Sequence, residues 1–139
     1  MFEKKLEDRL SAWRNFRETL ENTLTPFEDV IEFYRRAPLV SIHTDPWDSS
    51  RWPNPWQLLE ENEYCDFCTV LGWCYSLQLT DRFKDAKFEI HIVTDKQLGY
   101  RYLLLIDDVV LGYGDTVASS DILPKSLPSV HIHVMPPLQ

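Results

Sequence analysis

The hydrophobic period changes near residue 80, and this change limits the possible folds more than any other feature of the chain. Upstream, Phe2, Leu6, Leu10, Trp13, Phe16 and Leu20 recur at spacings of three and four. That spacing puts them on one stripe of a helix over residues 2–21. Downstream, "KFEIHIVTD" alternates Phe88, Ile90 and Ile92 with Glu89, His91 and Val93, the period of a strand with two unlike faces. Helices first and strands afterwards predict an α+β fold. The expected architecture is an N-terminal helical hairpin, a buried central helix and an antiparallel sheet of three to five strands, in a single domain over residues 1–139.

The punctuation supplies the details. In "TPFE", Thr25 reads as an N-cap, Pro26 as the first helical residue and Glu28 as its capping-box partner. Phe27, Val30, Ile31 and Tyr34 then form the apolar face, and Pro38 stops the helix. "LVSIH" (39–43) reads as a short extended piece. Asn54 and Pro55 start a further helix. The apolar run 62–79, "NEYCDFCTVLGWCYSLQL", is too long for one strand and reads as a helix buried on most sides, with Asn62 as its N-cap. Gly72 inside it marks a close approach to another backbone. Gly99 and the pair Asp107–Asp108 supply turns between strands. "SVHIHVM" (129–135) reads as the last strand, with Val130, Ile132 and Val134 on one face and His131 and His133 on the opposite one.

Between the second helix and the central one lies "TDPWDSSRWPNPW" (44–56). Three prolines remove three backbone donors and exclude a helix or an inner strand. Trp47, Trp52 and Trp56 therefore sit on a loop. Two readings apply: a plug sealing the core near the start of the central helix, or a binding surface in which aromatic rings and nearby charges meet a partner.

Charge excludes one large class of function. The chain carries a net charge of −8, which argues against direct nucleic-acid binding because that needs a clustered positive face. Residues 1–40 are nearly balanced and the acidity lies in the remainder; solubility is the plain reading of that excess, and a basic protein partner or mimicry of DNA charge the sharper one. No run of residues is long and apolar enough to span a membrane, and no secretory leader is apparent at the N-terminus. Cys65, Cys68 and Cys74 fall within ten residues on one expected element. They form no disulfide framework and suit a reduced, cytoplasmic setting.

Two sets of residues have chemical potential. With Asn62 as N-cap, Cys65 would lie in the first helical turn, where the helix dipole favours thiolate. His91 would be its base and Asp107 would orient the imidazole. Against this, His91 points away from the strand's apolar face, and three buried small thiols are ordinary core residues. The second set is a metal site. His131 and His133 share one strand face, as do Glu89 and His91. If those strands are neighbours, His91, His131, His133 and Glu89 would offer three imidazoles and a carboxylate to a divalent metal such as Zn, Fe or Mn. No other cofactor is expected. A solvated polar face is the plainer reading of the same residues.

The order Cys65 on a helix, His91 on a strand and Asp107 on the next strand resembles transglutaminase-like and papain-like cysteine enzymes. The resemblance implies acyl transfer or amide hydrolysis through those three residues. The chain departs from the pattern in the short segment between Cys65 and His91, and in Ile92 where an aromatic usually follows the histidine. Separately, "WPNPWQLLEENEYCDFCTVLGWCYSLQLTDRF" (52–83) resembles small proteins of large tailed marine phages. That resemblance brings no activity with it. It implies an accessory protein of an infected bacterial cytoplasm or of a virion.

Overall fold

The computed structural model describes residues 1–40, 44–95, 99–113, 117–119 and 129–138. Four helices precede the strands: α1 (Leu6–Leu20), α2 (Pro26–Tyr34), α3 (Pro55–Glu61) and α4 (Asp66–Gln78). The strands are β1 (Phe88–Asp95), β2 (Gly99–Ile106), β3 (Val109–Leu111), β4 (Ala118–Ser119) and β5 (Ser129–Val134). They form an antiparallel sheet in the order β4-β3-β2-β1-β5. The α+β class follows directly from the change of period.

The central helix is buried because it is apolar nearly all round. Phe67, Cys68, Val70, Leu71, Cys74 and Leu77 are all in the core. Helix α4 packs on β2 and β1 on one side and on α1 and α2 on the other. Gly72 is the contact with α2: a Cβ there would lie 2.5 Å from Cε1 of Tyr34. Ser76, one turn further on, is a buried polar hub. Its Oγ accepts from Trp13 Nε1 at 2.9 Å and lies 3.0 Å from the Tyr34 hydroxyl. Three elements are thereby tied at one atom, and two buried aromatic donors are satisfied.

Some boundaries differ from expectation. Asn62 does not open the central helix. It closes α3 in the left-handed conformation, with φ 52°, and its side chain donates to the Phe2 carbonyl at 2.8 Å. Asn suits either role, since its short amide serves an N-cap and also tolerates that backbone region. Helix α4 therefore starts at Asp66, with Cys65 at the cap position. Thr25 does not form the capping box. The Thr23 and Thr25 hydroxyls instead both donate to the Asp29 carboxylate, at 2.7 and 3.0 Å. Asn54 does cap α3: it accepts from the Gln57 N–H at 2.8 Å, while the Gln57 side chain accepts from the Asn54 N–H at 2.9 Å. Of the segment 39–43, Leu39 forms a parallel bridge with Tyr64, and Ser41, Ile42 and His43 lie outside the described residues.

The sheet has two unlike faces. Phe88, Ile90, Leu104, Ile106 and Leu111 join the helices in the main core. Val93, Leu103, Leu105 and Val110 form a smaller buried cluster on the other side. Asp107–Asp108 make the tight turn between β2 and β3, with Asp107 at φ 49°. No helix among the described residues is long and apolar enough to cross a membrane.

Candidate functional site

The Trp loop is held by its own polar side chains. Asp45 accepts from the Trp47 N–H at 2.9 Å, and Asp48 accepts from the Ser50 N–H at 3.1 Å, nucleating a single 3-10 turn over Ser49–Arg51. Short Asp side chains bonding two residues ahead are a common means of fixing turns. The Tyr75 hydroxyl of α4 donates to the Pro53 carbonyl at 2.7 Å and pins the loop to the core.

The three tryptophans have three different roles. Trp52 seals: its ring packs against Phe67, with centroids 4.8 Å apart, and its N–H donates to the Asp45 carbonyl at 2.9 Å. Trp56 lies edge-on to buried Trp13 and remains half exposed. Trp47 rests edge-on to Tyr100 of β2, at 5.4 Å, and near His131 of β5, at 5.8 Å, yet is 46% exposed. The loop is therefore a plug at Trp52 and a surface at Trp47.

The cysteine arrangement does not assemble. Cys65, Cys68 and Cys74 are free thiols, all buried. Cys65 Sγ accepts from the Cys68 N–H at 3.4 Å, so the sulfur turns inward to cap α4. The Cys68 thiol bonds to Thr44 Oγ1 at 3.3 Å. Its hydrogen bond with Cys65 and its burial push the Cys68 pKa up, and burial does the same to Cys74. His91 is on the far side of the sheet, because Ile90 and Ile92 point towards α4. Asp107 is used in the β2–β3 turn, where its carboxylate accepts from the Lys87 N–H at 3.0 Å.

The four proposed metal ligands are divided between the two faces of the sheet. Register pairs Ile90 with His133 and Ile92 with His131, so both histidines face the helical side. Glu89 pairs with Val134 and His91 with Ile132, on the other side. The orientation of β5 is thus the reverse of the one a shared metal site requires, with Val130, Ile132 and Val134 about half exposed. The reason lies in the Trp loop, which reaches the edge of the sheet. His133 meets Trp52 at 4.5 Å and His131 meets Trp47, so flat polar rings rather than aliphatic side chains take the helical side. Among the described residues no group of three His, Cys, Asp or Glu side chains is placed to hold a metal.

His91 instead forms a local polar pair. Its Nδ1 is 2.8 Å from the Ser129 hydroxyl, and its Nε2 lies 3.7 Å from the Glu89 carboxylate. The ring is 9% exposed. Burial lowers its pKa, and the Glu89 charge partly opposes that shift.

A cleft of about 470 Å³ opens beside Trp47, between α4 and the sheet. Asp66, Thr69, Val70 and Trp73 line it from α4, and Tyr100, Arg101, Tyr102 and Gly112 from the sheet. Asp66, Thr69 and Trp73 fall on one helical stripe, while Tyr100 and Tyr102 share one strand face. Both periodicities were visible in the sequence. That the helical stripe would lie opposite this strand face was not. Burial raises the Tyr102 pKa, reinforced by the negative charges of Asp66 and Asp45.

No protein-family model matches the chain, and no curated protein or solved structure is similar to it.

Proposed function

We propose that the protein acts by binding, and that it takes a basic segment of a partner protein on the surface around Trp47. The observation carrying this reading is the exposure of Trp47 on a loop whose other parts are pinned. A large ring held at the surface by Tyr100 and His131 offers contact area at small entropic cost, the property that enriches Trp at recognition sites. Asp45, Asp48 and Asp66 are exposed or half-buried, and the net charge is −8. Both favour a cationic partner by steering and by rejecting acidic ones. Nothing in the geometry favours Cys65 as a nucleophile.

The test is titration of Lys- and Arg-rich peptides, with acidic and neutral peptides of equal length as controls, followed by Trp emission. Basic peptides should bind, binding should weaken with salt, and Trp47→Ala should weaken it about tenfold while leaving the melting temperature near wild type. Equal binding by Trp47→Ala, or no preference for basic over acidic peptides, would refute the reading.

A further inference from the structure

The cleft beside Trp47 has the chemistry of a cation cage. Its walls are three aromatic rings from two elements: Trp73 on α4, and Tyr100 and Tyr102 on β2. Trp47 packs against Tyr100, and Phe67 stands edge-on behind Tyr102 at 5.3 Å, so both tyrosines are braced in place. The Trp73 indole N–H is covered by protein and has no hydrogen-bond partner among the described residues. Trp73 therefore offers the cleft its carbon surface rather than a donor. Asp66, exposed at the first position of α4, adds a carboxylate at the rim.

From this juxtaposition we infer that the cleft binds a methylated ammonium cation carried on a side chain of the partner, with Trp73, Tyr100 and Tyr102 around the methyl groups and Asp66 supplying the countercharge. The inference rests on the binding reading above and names the group recognised there. Aromatic faces attract cations through their quadrupole, and a methylated ammonium gains most because its charge is spread over carbons that shed water readily. An unmethylated ammonium gives up more hydration on entering such a site. A volume of about 470 Å³ holds the head group and part of its stem, within the range of ordinary ligand pockets.

One cation already lines the cleft. Arg101 donates to the Gly112 carbonyl at 3.1 Å, and its guanidinium lies over the Tyr113 ring at 5.4 Å.

The experiment uses the intact chain and four probes: tetramethylammonium, the near-isosteric neutral alcohol 2,2-dimethylpropan-1-ol, a peptide containing trimethyllysine, and phosphocholine. Binding is read by calorimetry and by the indole N–H resonance of Trp73. Tetramethylammonium and the peptide should bind, and the neutral isostere should bind at least tenfold more weakly. Tyr100→Ala and Asp66→Asn should each weaken the cation about tenfold. Equal affinity for cation and isostere, or unchanged affinity in Tyr100→Ala, would overturn the inference. Phosphocholine binding as tightly as the peptide would overturn the assignment to a protein side chain. If basic peptides bind through Trp47 while tetramethylammonium does not bind, the cage fails and the surface reading stands. If tetramethylammonium binds and basic peptides do not, the surface reading fails, and with it the claim that the cation belongs to a protein partner.

Discussion

Replacing Gly72 by alanine should destabilise the protein, although alanine is the better helix former. In a free helix the change would gain about 1 kcal/mol. Here the new Cβ would lie 2.5, 2.8 and 3.0 Å from Cε1, Cζ and Cδ1 of Tyr34. Carbon atoms prefer about 3.5–4.0 Å, so the ring must recede by about 1 Å. It has little room to do so. Tyr34 is buried, its hydroxyl is bonded to Ser76, and Phe2, Phe33 and Tyr64 pack around its ring. Overpacking of this kind costs about 1–3 kcal/mol or more, which outweighs the propensity gain. The net loss should be up to about 2 kcal/mol, or up to about 7 °C in melting temperature for a chain of this size. Thermal and urea unfolding followed by circular dichroism would measure it. In a Tyr34→Ala background the same substitution should become neutral or stabilising, because the obstructing ring is gone. A rise in melting temperature for Gly72→Ala in the otherwise native chain would refute the argument.

Other outcomes follow from the same core and from the buried titrating groups. Ser76→Ala should cost about 2–4 kcal/mol by urea unfolding, since it strands the buried Trp13 N–H and Tyr34 hydroxyl together. Tyr34, held up to about 12 chiefly by burial, stays neutral when folded but ionises near 10 when unfolded. Stability should therefore be intact below about pH 10 and fall between about pH 10 and 12, an effect that Tyr34→Phe reduces in alkaline melts. His91 and His133 both have pKa values lowered by burial. The unfolded chain then binds more protons than the folded one below about pH 6.5, so stability should drop as pH falls through that point towards the folded values. His91→Gln should flatten part of that slope. The three thiols should react with an aromatic disulfide reagent at pH 8 only at the rate of unfolding, whereas rapid labelling of a single cysteine would contradict their burial.

The change of period at residue 80, the apolar run 66–78 and the Asn54–Pro55 cap are local signals, and they set the helices, strands and class of fold. Gly72 announced a close approach, but the sequence pointed to a neighbouring backbone, whereas the neighbour is the side-chain ring of Tyr34. Period two also established correctly that His131 and His133 share a face, and that Glu89 and His91 share one. It could not say which face of β5 turns inward, because alternation is symmetric to a one-residue shift. Only the tertiary structure decided that. The Trp loop reaches the sheet edge and packs imidazoles under Trp47 and Trp52, leaving Val130, Ile132 and Val134 half exposed. The same long-range packing divided the expected metal ligands between two faces and turned Cys65 into a helix cap. It also set the Asp66–Trp73 stripe of α4 opposite Tyr100 and Tyr102. Local patterns fix what each segment becomes. Which segments meet depends on contacts between residues far apart in the chain, and no short window of sequence encodes them.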